Sequence, residues 1–137
     1  MKKLQLLYVD DSFQDAILFR SLLKKASQEL GVELNCDVTK SGIEALQMIF
    51  SSNYDLVFLD QQMPDPDGLQ TFESVRQKSL AENLPVPPII SYSNCDLREF
   101  RERCLKAGMS EFVVKYLPVS SLVTIVRKYC AVPENVV

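Results

Sequence analysis

The sequence predicts an α/β protein built on a parallel sheet with helices against its faces, and three observations carry that prediction. Strand-like and helix-like patterns alternate from one end of the chain to the other, as βαβ units require. The apolar runs Leu4–Val9, Leu56–Leu59, Ile89–Tyr92 and Phe112–Val114 are short and nearly continuous, the pattern of strands buried on both faces. Each run ends on polar groups, respectively Asp10-Asp11, Asp60, Ser93 and Lys115. Open α/β sheets bind ligands at the carboxyl ends of their strands, so three carboxylates, a hydroxyl and an ammonium are expected to converge on one crevice.

The elements follow in order. After the first strand, Ser12 with Asp15 three residues on looks like a capping box. Ala16, Ile17, Phe19, Leu22, Leu23, Ala26 and Leu30 then recur at helical spacing until Gly31 ends the helix. Glu33–Val38 is a more polar strand and is placed at a sheet edge. Ser41 with Glu44 opens a second helix through Ile43, Ala45, Leu46, Met48, Ile49 and Phe50. The strand at Leu56 comes next, and Asp67 with Gln70 brackets the start of a third helix. A loop with Pro85, Pro87 and Pro88 leads to the strand at Ile89, and Asp96 with Glu99 is expected to cap a fourth helix ending near Gly108. Pro118 suits the first turn of a fifth helix, which carries Leu122, Val123, Ile125, Val126 and Tyr129 and stops before Pro133. Five strands and five helices thus fill one domain over residues 1–132. Residues 133–137 are left as a short tail, with no output domain.

Composition narrows the function. With 137 residues, 47% hydrophobic and 24% charged, and mean hydropathy near zero, the chain has the make-up of an ordinary soluble domain. A net charge of −3 offers no basic footprint for nucleic acid. No apolar run reaches the roughly 18 residues of a membrane span, and the protein is expected to be cytoplasmic and unprocessed. Cys36, Cys95, Cys104 and Cys130 form no Cys-x-x-Cys pair, and the chain has no histidine. Zinc sites of the usual spacing and Cys-His dyads are therefore excluded, and the cysteines are read as reduced and mostly buried. Without histidine, any phosphoryl acceptor must be a carboxylate or a hydroxyl.

The convergence of acids also points to a cation. Carboxylates about 4 Å apart repel by roughly 4 kcal/mol at an effective dielectric of 20. Hard oxygen ligands favour Mg²⁺, which binds through one or two carboxylates plus a phosphate and keeps several waters. Lys115 would neutralise part of the remaining charge.

On these residues the chain resembles the receiver domains of two-component response regulators. The likeness covers nearly its whole length and rests on Asp10-Asp11, on Asp60 with Met63-Pro64 and Asp67-Gly68, on Ser93, and on Phe112-Val113-Val114-Lys115. The resemblance implies a flavodoxin-like, doubly wound three-layer sandwich with strand order 2-1-3-4-5. It implies that Asp60 is the phosphorylated nucleophile, that Asp10, Asp11, Asp60 and the Gln62 backbone carbonyl hold Mg²⁺, and that Ser93 and Lys115 contact the phosphoryl group. The donor would be a phosphohistidine of a sensor histidine kinase or a histidine phosphotransfer protein. The chain would then be a stand-alone switch, monomeric or weakly dimeric. It would catalyse only its own aspartyl phosphorylation and dephosphorylation and change its affinity for an output protein through the fourth helix, fifth strand and fifth helix. Phe112 is either core or, as the family suggests, a rotamer switch partnered with Ser93. Arg98, Arg101 and Arg103 are either a solvated face or a surface for an acidic partner.

Three features set the chain apart from the family pattern, the second of them a pair of residues. Asn94 follows the switch hydroxyl where a small residue is usual, and Gln62 and Cys95 occupy the two positions that tune hydrolysis. Tyr116 stands where a cis-bonded proline usually follows the lysine. A non-proline cis bond costs about 3–4 kcal/mol, and a trans bond there would displace Lys115 or reshape the surface beside it. The competing reading is a pseudo-receiver, an interaction module that does not use phosphorylation. A Mg²⁺-dependent phosphatase would need an Asp-x-Asp pattern and a cap insertion that the chain lacks. A nucleotide-binding domain would need a glycine-rich loop after Val9.

Overall fold

A computed structural model describes residues 2–133; the predicted tail lies almost entirely outside the described residues. Ten elements alternate without exception: β1 (Lys3–Val9), α1 (Phe13–Leu30), β2 (Glu33–Thr39), α2 (Gly42–Ser51), β3 (Leu56–Leu59), α3 (Gly68–Glu82), β4 (Ile89–Ser93), α4 (Arg98–Ala107), β5 (Glu111–Val114) and α5 (Val119–Cys130). All strand pairs are parallel, in the order β2-β1-β3-β4-β5, so the flavodoxin-like expectation holds. β2 is an edge strand, which explains its polar sequence.

The period of two along each strand divides the core into two layers. Leu4, Leu6 and Tyr8 of β1, Leu56 and Phe58 of β3, and Ile90 and Tyr92 of β4 pack with α1 and α5. The alternate residues Leu7, Val9, Val57, Leu59 and Ile89 pack against the other face with Ala45 and Ile49 of α2, Phe72 and Val75 of α3 and Cys104 of α4. In the first layer Tyr8 stacks on Phe19 with centroids 4.3 Å apart, and Phe19 also meets Phe58 at 4.9 Å and Tyr92 at 5.9 Å. This aromatic cluster lies directly beneath the carboxyl ends of β1, β3 and β4.

Helix starts follow the predicted chemistry in three cases. Asp67 and Gln70 form the full capping box of α3, at 2.8 Å in each direction. Ser41 Oγ accepts the Glu44 N–H, and Ser12 Oγ accepts the Asp15 N–H at 3.2 Å. The Ser12 box is only half made, because the Ser12 N–H is taken by Asp10 Oδ1 and the Asp15 carboxylate points elsewhere. The expectation for α4 needs correction. Leu97 is its N-cap and makes no side-chain bond, while Asp96 forms an ion pair with Arg101 at 3.7 Å. Pro118 is the N-cap of α5, one residue before the first turn where it was expected.

Gly68 shows why α3 can begin so close to β3. A Cβ there would lie 2.3 Å from the Asp60 carbonyl oxygen and 2.7 Å from Gln61 Cα, so only glycine lets the helix start abut the strand end.

Candidate functional site

The sheet order places β1 and β3 side by side at its centre, and their ends carry the acids. Ladder bonds continue past the strands: the Asp10 N–H donates to Thr39 O at 3.0 Å, Asp60 N–H to Val9 O at 2.8 Å, and Lys115 N–H to Ser93 O at 2.9 Å. Backbone pairing thus fixes the roots of three of the polar side chains before any of them touch. The result is a crevice of about 420 Å³ lined by Asp10, Asp11, Asp15, Asp60, Gln62, Asn94, Lys115 and Tyr116, among others.

Asp10 and Asp60 are buried and Asp11 is exposed, and one oxygen from each lies within 4.8 Å of the others. Asp10 is heavily bonded. Its Oδ2 accepts from the Tyr8 hydroxyl at 2.7 Å and from Lys115 Nζ at 2.7 Å, and its Oδ1 accepts the Ser12 N–H at 2.9 Å. Asp60 is less satisfied: its Oδ1 accepts the Gln62 N–H at 3.3 Å and lies 3.6 Å from Lys115 Nζ. Burial, followed by the charge of Asp10, pushes the Asp60 carboxyl up to about 7, against the opposing pull of Lys115 and the Gln62 amide. A buried carboxylate beside two others, short of donors, is the donor set a hard divalent cation fits.

Lys115 is held by two acids. Its side chain is only 3% exposed and donates to Asp10 at 2.7 Å and to Asp15 Oδ2 at 2.8 Å. Burial pulls the ammonium's pKa down, but the bonds to Asp10 and Asp15 and the field of Asp60 outweigh it, so Lys115 stays charged. The Lys115–Tyr116 peptide is cis, and Lys115 enters the crevice. The Tyr116 hydroxyl donates to the second oxygen of Asp15 at 3.0 Å.

Ser93 ends β4 as predicted, but its side chain is fully buried and its Oγ accepts the Cys95 N–H at 3.2 Å. Phe112 is packed inward, edge-on to Phe100 at 5.8 Å, with the Arg101 guanidinium 5.0 Å from its ring centre. Asn94 is exposed at the rim and does not plug the crevice.

Three contributors escaped the sequence reading. Asp15 has the spacing of a helix cap, yet its carboxylate crosses to Lys115. Tyr8 was assigned to a strand, and Tyr92, also a strand residue, accepts the Leu117 N–H at 3.2 Å, tying the loop after Lys115 to β4. The two tyrosines were in principle legible, since period-two alternation puts Tyr8 on the same side of its strand as Asp10. Nothing local distinguishes Asp15 from an ordinary first-turn acid.

The parallel sheet of order 2-1-3-4-5 thus gathers an acidic cluster from the ends of β1 and β3 and a lysine from the end of β5 at one edge. The model of the response regulator receiver domain matches residues 6–127, and the chain belongs to that family. Receiver domains act in phosphorelay signalling as phosphoacceptors, not as true enzymes, and bind Mg²⁺ in an acidic pocket. Among curated relatives, hybrid signal transduction histidine kinase L of Dictyostelium discoideum is 34% identical over 128 residues, 91% of this chain but only 7% of the kinase. Two-component response regulator 24 of Arabidopsis thaliana is 32% identical and is covered over 84% of its length, as is 92% of this chain. Many solved structures share the fold, among them the following two. The receiver domain of the sensor histidine kinase PA1611 from Pseudomonas aeruginosa, with magnesium coordinated in its active-site cleft, gives a TM-score of 0.75 at 23% identity, covering 94% of this chain and 98% of that one. The receiver domain of Ssk1 from Saccharomyces cerevisiae, solved with the histidine phosphotransfer protein Ypd1, gives 0.79 at 18% identity over 93% of this chain and 89% of that one. No helix among the described residues is long and apolar enough to cross a membrane.

Proposed function

We propose that this domain accepts a phosphoryl group on Asp60 from a protein phosphohistidine and thereby switches its affinity for an output protein. The observation that carries the reading is the geometry of Asp60, a buried carboxylate within 4.8 Å of two others and 3.6 Å from a charged lysine. Asp60 Oδ attacks phosphorus in line, the P–N bond breaks, and its electron pair leaves with the imidazole, which takes a proton from solvent. Transfer of this kind depends on positioning and charge stabilisation. Asp10, Asp11, Asp60 and the Gln62 carbonyl would hold Mg²⁺, which when bound neutralises charge on the phosphoryl oxygens. Lys115 spans the equatorial oxygens on the other side. Ser93 exchanges its bond from the Cys95 amide for one to phosphoryl oxygen, and Phe112, paired across β4 and β5 with Ser91, is held inward under α4. Water attack on the acyl phosphate later releases inorganic phosphate and restores Asp60.

The donor class is supported by the relatives, which include hybrid histidine kinases. The output face would be α4, β5 and α5, where a groove is lined by Arg101, Phe112, Tyr116 and Thr124. The test follows label from a phosphorylated histidine phosphotransfer protein. Label should move to this chain as a hydroxylamine-sensitive acyl phosphate and should not move to Asp60→Asn. Retention of label on the donor in the presence of wild type and Mg²⁺ would refute the assignment.

A further inference from the structure

Lys115 is closer to two other carboxylates than to the nucleophile it is meant to serve. Its Nζ lies 2.7 Å from Asp10 and 2.8 Å from Asp15, against 3.6 Å from Asp60. An ammonium has three donors, so two are committed and one remains. Asp10 holds Lys115 through an oxygen that also takes the Tyr8 hydroxyl, while its other oxygen takes the Ser12 amide and keeps a lone pair toward Asp11 and Asp60. Asp15 is built differently. It stands at the third position of α1, where a capping acid would reach back to the Ser12 N–H, but Asp10 already occupies that donor. The Asp15 carboxylate is free to turn, and the Tyr116 hydroxyl pins its far oxygen at 3.0 Å. Its side chain is 11% exposed and lines the same crevice as Asp60.

We infer that Asp15, braced by Tyr116, is a positioning residue that holds the Lys115 ammonium off Asp60 until a phosphoryl group arrives. The inference rests on the acceptor reading above. Without Asp15, the free N–H groups of Lys115 have Asp60 Oδ1 as the nearest carboxylate oxygen outside Asp10. The ammonium then closes onto the nucleophile, ties up a lone pair needed for attack and occupies the space the equatorial phosphoryl oxygens require. Tyr116, which stands at the family's usual proline position, contributes by its hydroxyl: it fixes the rotation of Asp15 so that one oxygen faces Lys115.

The experiment measures phosphorylation by acetyl phosphate with Mg²⁺ over a range of donor concentrations, by intact mass. Asp15→Ala should lower the maximal rate about tenfold with little change in half-saturating donor, and Tyr116→Phe should lower it about threefold. Combined with Lys115→Ala, Asp15→Ala should have no further effect, because Asp15 acts only through the lysine. Asp15→Asn keeps the side-chain size and carries the same test if the alanine variant does not fold. An unchanged maximal rate, or the same fractional loss in the Lys115→Ala background, would overturn the inference while leaving the acceptor reading intact. Absence of any adduct on wild type would overturn both.

Discussion

Burial, followed by the charge of Asp10, pushes the Asp60 carboxyl up to about 7 in the folded chain against the pull of Lys115. An aspartate in the unfolded chain titrates near 3.9. Between those values the folded state binds more protons, so this group's contribution to stability falls as pH rises through the window and is fully unfavourable above it. Asp60→Asn removes that charge. In EDTA at pH 8 the variant should melt higher than wild type by roughly 1–2 kcal/mol, or ~3–8 °C, with the gap closing toward pH 4. Equal melting temperatures at pH 8 would contradict the electrostatic account. At this scale the sequence was informative where chemistry sits at a strand end: Asp10, Asp11, Asp60 and Lys115 all line the crevice. It was silent on Asp15, whose partner is 100 residues away. Ser93 was legible as a position but not as a contact, since its hydroxyl is turned onto the Cys95 amide.

At the scale of elements, capping decides how well the helices framing the site are anchored. α3 begins beside Asp60 with both capping-box bonds made, whereas α4 begins at Leu97 with no side-chain cap and exposes that leucine to solvent. Asp67→Ala should cost about 1 kcal/mol. Leu97→Asp should gain a similar amount by giving α4 an acceptor and a negative charge at its N-terminus. Denaturant melts of the two variants would check both signs, and the same sign for both would refute the capping argument. The α4 start was misread because Asp96 and Glu99 have the spacing of a cap, while the chain enters the helix one residue later and Asp96 pairs with Arg101 instead. Strand boundaries were easier, since burial on both faces leaves near-continuous apolar runs that end where the crevice begins.

Over the whole molecule, the sheet order brings residues from opposite ends of the sequence to one edge, and aromatic packing beneath that edge stiffens it. Tyr8 joins the two levels, stacked on Phe19 below and bonded to Asp10 above. A folded site that gathers three carboxylates should gain stability from a divalent cation by mass action, since the unfolded chain has no such cluster. Mg²⁺ at 100 times its dissociation constant should raise wild-type stability by about 2.7 kcal/mol, with a smaller rise for Asp11→Asn, read by thermal denaturation. An equal rise in both would argue against Asp11 as a ligand. The alternation of apolar runs made the global topology readable, because strand and helix periods differ and parallel sheets leave few orders to consider.

Everything above turns on the proposal that the ends of four strands form one phosphoacceptor site with Asp60 as its nucleophile. Intact mass after incubation with a small-molecule phosphodonor, with and without Mg²⁺, for wild type and Asp60→Asn side by side, tests it most directly. A single Mg²⁺-dependent phosphoryl adduct is expected on wild type and none on the variant. A folded, Mg²⁺-binding wild type that takes no adduct, or an adduct that persists in Asp60→Asn, would contradict it.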